Sequence, residues 1–132
     1  MKRVVATGLA MLASAALGAA AVDQLHAQNK APGAYAVIEI NEITDADTFT
    51  KQLLPKAAPA MKAFGGEFAI LTEKITPIDG TPPKRFVVIG FDSIDKAKAW
   101  DASAAQKEIN ALRAKSTRSR AYIVDGAVAA PQ

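Results

Sequence analysis

The chain has 132 residues, half of them hydrophobic and 22% charged, with a formal net charge of +3 and no cysteine. This length suits one globular domain, and the composition excludes a disordered chain and a disulfide-stapled scaffold. The single histidine, His26, stands near the N-terminus. Without it no Ser–His–Asp or Cys–His nucleophile and no histidine- or cysteine-based zinc, copper or haem site can be assembled. Catalysis would then fall to carboxylates, Tyr, Lys, Arg or a bound cofactor, and the residues imply no particular cofactor.

Met1-Lys2-Arg3 precedes an uncharged run from Val4 to Val22 rich in Ala, Leu, Val and Gly, the layout of a secretory signal peptide. Cleavage is expected after Ala27, behind Leu25-His26-Ala27, with Ala21 as the alternative. Either site delivers the mature chain to the periplasm or the exterior. The competing reading is a retained membrane anchor, because the run is long enough to span a bilayer. Its Ala, Gly, Ser and Thr content makes it weakly apolar, which favours cleavage. Residues 1–27 therefore read as a signal peptide, 28–33 as a lead-in, 34–126 as the folded domain and 127–132 as a flexible tail.

Tyr35 to Ile40 alternates as a first strand, with Ala36, Ile38 and Ile40 on an apolar face that should meet helices and Tyr35, Val37 and Glu39 opposite. Thr44 or Asp45 caps a helix with Asp47 in its first turn, and Phe49, Leu53, Ala57, Ala60, Met61 and Phe64 mark one helical face. Pro55 and Pro59 should kink or break it, and Gly65-Gly66 should end it. Phe68 to Ile75, extended through Thr76-Pro77-Ile78, reads as the second strand. A proline-stiffened tip at residues 79–83 leads back into a third strand, Arg85 to Phe91.

Asp92-Ser93 stops that strand and caps a helix starting near Ile94, whose apolar positions are Ile94, Ala97 and Trp100. Ser103-Ala104-Ala105-Gln106 forms a capping box for a further helix with Ile109 and Leu112 inward, reaching about Thr117. Arg120 to Asp125 reads as the last strand. The order βαββαβ, with right-handed crossovers, predicts an α+β, ferredoxin-like split βαβ fold: a four-stranded antiparallel sheet with its helices on one face. The other face is expected to expose Tyr35, Val37, Val87, Ile89, Phe91 and Ile123, an apolar patch that a second copy would cover.

Lys62 to Phe68, Pro83 to Ile89, Phe91-Asp92-Ser93 with Ala97 and Trp100, Ser103, Leu112-Arg113 and Val124-Asp125-Gly126 together resemble the bacterial domain-of-unknown-function family 1330. The resemblance spans about Ala34 to Gly126. It implies membership of the dimeric α+β barrel superfamily, and hence a homodimer with a central cavity, but no reaction. Where members carry a carboxylate before the aromatic that ends the third strand, this chain has Gly90. Where they carry Tyr after the Trp and after the Ser, it has Asp101 and Gln106. The resemblance therefore carries no polar or aromatic pocket over to those positions.

Tyr35, Glu39, Arg85 and Trp100 are the candidate ligand contacts, the first three on the expectation that they face the dimer interior, where a carboxylate and a guanidinium orient a small molecule. A structural salt bridge is the competing reading. Trp100 with Phe64 and Phe68 could line an aromatic pocket, although aromatics at helical spacing more often fill cores. Asp45 and Asp47 fit a helix start better than a metal site. Arg113, Lys115, Arg118 and Arg120 suit a helix C-terminus and its surroundings better than a nucleic-acid surface. The function expected from these residues is an exported homodimer binding a small, partly apolar organic ligand in the dimer cavity. The rivals are a cofactor-independent oxygenase- or isomerase-like enzyme and a structural envelope protein.

Overall fold

The computed structural model describes residues 31–126. The expected signal peptide, the first half of the lead-in and the tail at 127–132 lie outside the described residues. Strand β1 (Ala34–Ile43) is followed by a π-helical turn (Thr48–Leu53) that runs into helix α1 (Leu54–Lys62). Strands β2 (Glu67–Thr72) and β3 (Arg85–Phe91), helices α2 (Ile94–Ala102) and α3 (Ala104–Ser116) and strand β4 (Thr117–Asp125) complete the domain. The strands lie in the order β2-β3-β1-β4, with every neighbouring pair antiparallel. This is the ferredoxin-like split βαβ arrangement. Among the described residues no helix is long and apolar enough to cross a membrane.

Local chemistry explains most boundaries. Asp45 accepts hydrogen bonds from the Thr48 backbone N–H at 3.1 Å and the Thr48 hydroxyl at 2.7 Å, which starts the helical segment. Pro55 falls in the first turn of α1, directly behind the π-helical turn in which the Leu54 N–H reaches back to the Phe49 carbonyl, so its missing N–H leaves the helical run one bond short. The expected break is thus a change of helical pitch ahead of it. Gly65 adopts φ +77°, and Gly66 closes the end by donating to the Met61 carbonyl at 2.9 Å. A Cβ at Gly66 would stand 2.8 Å from Phe91 Cε1, so the absence of a side chain lets the turn lie on the core.

Ser93 caps α2 by accepting from the Lys96 N–H at 3.2 Å. Ser103 links the next two helices, donating to the Trp100 carbonyl at 2.6 Å and accepting from the Gln106 N–H at 3.2 Å. The capping box is only half formed, because the Gln106 side chain donates to Asn110 Oδ1 at 3.0 Å instead. Strand β2 ends at Thr72, not near Ile75: the Thr72 hydroxyl accepts from the Lys74 N–H at 3.0 Å and turns the chain early. Strand β4 begins at Thr117, three residues before the expected start, because its pairing with β1 continues past a bulge to Ile43.

Register decides which residues meet the helices, and it corrects the expected exposed patch. Ile38 pairs with Val87, Ala36 with Ile89 and Ile123, and Ala34 with Phe91. Directly paired residues share a face. Val87, Ile89, Phe91 and Ile123 therefore lie beneath the helices, while Tyr35 and Val37 lie on the opposite face with Val88, Tyr122 and Val124. Beneath the helices one buried cluster gathers Ala36, Met61, Ile89, Phe91, Ala97 and Trp100, and another gathers Ile40, Phe49, Leu53, Ala60 and Ile109. Ile38 packs against both. Burying a side chain such as Phe91, 1% exposed, contributes about 1.5–3 kcal/mol.

Candidate functional site

The two clusters do not fill all the space between sheet and helices. A cavity of about 210 Å³ lies between them. Ile38 and Ile40 of β1, Val87 and Ile89 of β3 and Phe68 and Leu71 of β2 form its floor. Phe49, Leu53, Leu54 and Ala57 roof one side; Trp100, Gln106, Ile109 and Arg113 roof the other. Leu54, Phe68 and Leu71 are partly exposed, so the cavity opens toward the β2 edge of the sheet. Arg85 stands at this rim, over the Phe49 ring at 5.6 Å, with its guanidinium 3.2 Å from the Glu73 carboxylate.

A second cavity, of about 350 Å³, lies above Ala36, Ala121 and Ile123 and below Asp101 and Asn110. Ile38, Trp100 and Arg113 line both cavities. Trp100 is 5% exposed and packs on Phe91 with ring centroids 5.2 Å apart. Its buried Nε1–H has no hydrogen-bond partner among the described residues, nor does Nε of Arg113. An orphaned buried donor costs about 1–3 kcal/mol, so two on one wall are unusual.

Arg113 donates through its terminal nitrogens to Ser119 Oγ at 3.1 Å and Asn110 Oδ1 at 3.3 Å. Both acceptors are neutral. Burial lowers the Arg113 pKa from the ordinary arginine value, against the opposing pull of the Asp101 carboxylate. Asp101 is held off by Asn110, which donates to it at 3.0 Å. Gln106, Ile109 and Arg113 recur at helical spacing on α3, and this is the signal that sets Arg113 inward.

The four expected ligand contacts do not form one site. Trp100 and Arg85 reach the cavity under the helices. Glu39 and Tyr35 lie on the opposite sheet face, because Glu39 pairs with Phe86 whereas Arg85 pairs with Ile40. The Glu39 carboxylate, on a residue only 9% exposed, accepts from Arg120 Nε at 2.7 Å and Nη2 at 3.2 Å, and from the Tyr122 hydroxyl at 2.8 Å. These bonds, Arg120 first and Tyr122 second, hold Glu39 below the usual carboxylate range. The same contact raises the Tyr122 pKa. Arg120 and Tyr122 thus take the partner role that the sequence reading assigned to Arg85.

Of the aromatic trio, Phe68 reaches the cavity with Trp100, while Phe64 packs against the core. The basic cluster disperses: Arg113 turns inward, Arg118 lies 3.4 Å from Glu42 and Arg120 meets Glu39. Gln106 and Asp101, at two of the positions where the chain departs from the resembled pattern, line the first and second cavity respectively. At Gly90, the third, a Cβ would stand 2.9 Å from Pro32 Cγ. Among the described residues no three histidines, cysteines or carboxylates gather as metal ligands.

Residues 33–127 match the family described as domain of unknown function DUF1330. The chain belongs to the DUF1330 family. No curated protein matches it. Among solved structures this DUF1330 domain is similar to RPA0582, a protein of unknown function from Rhodopseudomonas palustris. The TM-score there is 0.58 at 10% identity, covering 80% of this chain and 90% of that one. It is also similar to SnoaB, a cofactor-independent oxygenase from Streptomyces nogalater, with TM-score 0.50 at 14% identity, covering 77% of this chain and all of that one. At such identities the likeness concerns the DUF1330 fold alone.

Proposed function

We propose that this DUF1330 domain is an exported homodimer that holds a small, largely apolar organic molecule inside each subunit, between the sheet and the helices. The observation that carries the reading is the cavity of about 210 Å³ with apolar walls and a few polar groups at fixed positions, the usual make-up of a ligand site. The ligand thereby sits within one chain, not between two sheets. Export is supported by the charged start and uncharged run of residues 1–22. Dimerisation is supported by the outer sheet face, where Ile70 and Val124 stand exposed beside Phe86 and the buried Val37 and Val88, an apolar surface suited to a second copy.

The polar side chains on the cavity wall are Arg85, Trp100, Gln106 and Arg113. All donate hydrogen bonds, and none accepts a proton near neutral pH. None of them is a general base that would draw a proton from a bound molecule, so this wall favours holding a molecule over turning it over.

The test is an NMR titration of isotope-labelled protein with small aromatic fragments. Shifts centred on Leu53, Ala57, Trp100 and Ile109 are expected. Shifts centred on Tyr35, Val37 and Tyr122 would move the site to the sheet face, and uptake of dissolved oxygen with product formation would establish the enzyme reading.

A further inference from the structure

The cavity wall has an unbalanced polarity. Of its polar side chains only Gln106 also carries an acceptor, two of its donors are orphaned, and its innermost charge is a guanidinium satisfied only by neutral acceptors. Arg113 is half-buried, and a cation drawn that far from water is ordinarily paired with an anion, because an uncompensated charge in a low-dielectric site is costly. Among the described residues no carboxylate lies within ion-pair distance of Arg113, and Asn110 stands between it and Asp101. Trp100 offers an independent sign: a side chain 95% removed from solvent, on the wall of both cavities, keeps an N–H without an acceptor. Tryptophan buried to this degree ordinarily finds an acceptor for that group.

We infer that the ligand is a small organic acid: its apolar body fills the cavity beneath Leu53 and Ile109, and its anionic group is received at the wall formed by Trp100 and Arg113. This rests on the cavity reading above and adds the charge of the occupant. Arg85, at the rim and paired with Glu73, lies on the approach and attracts the same kind of molecule without being its final partner. Asp101 acts in the opposite sense, since its carboxylate opposes a second negative charge beside Arg113.

The test compares an acid with its neutral isostere. 4-Phenylbutyrate and 4-phenylbutyramide differ in charge and hardly in shape, and Trp100, the only tryptophan of the chain, reports binding by its fluorescence. The acid is expected to bind about tenfold or more tightly than the amide, as a hydrogen bond to a charged group exceeds one to a neutral group. Arg113→Met should erase the difference, and Arg113→Lys should keep part of it. Asp101→Asn, an exposed change that keeps an acceptor for Asn110, should widen it about threefold.

Equal affinities for acid and amide in the unaltered protein would overturn the inference and leave the cavity reading standing. A preference for the acid that Asp101→Asn leaves unchanged and Arg113→Lys does not reduce would overturn it as well, even if Arg113→Met fails to fold. Binding of neither compound at millimolar concentration would count against the cavity reading itself, and the acid inference would fall with it.

Discussion

Replacing Ala57 with Leu fills part of the cavity and leaves the packed core intact. Ala57 lines the cavity from α1 and is half-buried, and Leu is a good helix former, so the backbone has no reason to object. The substitution adds three carbons, each worth about 0.8 kcal/mol when taken fully out of water, which sets an upper bound of about 2.4 kcal/mol. Because the position is half-buried, about 1 kcal/mol of stabilisation is the working figure, or roughly 4–8 °C in Tm for a domain of this size. Urea unfolding followed by Trp100 fluorescence measures the gain, and fragment titration measures the accompanying loss of binding. A more stable protein that no longer binds is the signature of a cavity kept open for a ligand. A variant destabilised by 1 kcal/mol or more would show that α1 has no room to spare, and the argument from volume would fail.

Other outcomes follow from the register and the caps. Val87→Asp puts a carboxylate beneath the helices, costs several kcal/mol and should abolish folding. Ile70→Asp, on the outer face and exposed, should leave the circular dichroism spectrum intact and yield monomer in sedimentation if that face joins two copies. Glu39, whose pKa is lowered by Arg120 and Tyr122, contributes stability that is fully present above the unfolded carboxylate value of about 4.3 and lost as pH falls through the lower folded value. Glu39→Gln should therefore flatten the acid limb of stability against pH, while an unchanged limb would deny Glu39 that role. Ser103→Ala removes the cap of α3 and a bond to the end of α2, for an expected loss of about 1 kcal/mol in urea unfolding.

Much of the fold could be read from short-range chemistry. The alternation of β1, the stop at Asp92-Ser93, the spacing of Ile94, Ala97 and Trp100 and the glycine pair after α1 each state their local structure, and the order βαββαβ leaves few topologies. The faces of β3 could not be read in this way. Phe86 to Ile89 is apolar at every position, and Val87 and Val88, on opposite faces, are both buried, so no alternation marks which residues meet the helices. Only pairing with β1, Ile38 against Val87, decides it. The candidate site came apart for this reason: Arg85 and Glu39 are one residue out of phase across the β1–β3 pair.

Arg113 escaped for a different reason. A cation in the last turn of a helix reads as a response to the helix dipole, and its inward face shows only when Gln106 and Ile109 are counted with it. Trp100 was legible as a core aromatic, whereas its unpartnered N–H depends on the surrounding tertiary packing. The cavity is equally invisible in one dimension, since it is the space that the clusters around Phe91 and Phe49 leave between them.

The central claim is that this space holds a small molecule. Native mass spectrometry of the protein produced from the full-length gene, purified without denaturation and compared with Ala57→Leu, tests it most directly. A small-molecule mass retained by the unaltered protein at one per subunit, and absent from the variant, is the predicted result. Ligand-free species for both proteins, with no binding on adding back an extract of the producing cells, would contradict it and make the cavity a fault in packing.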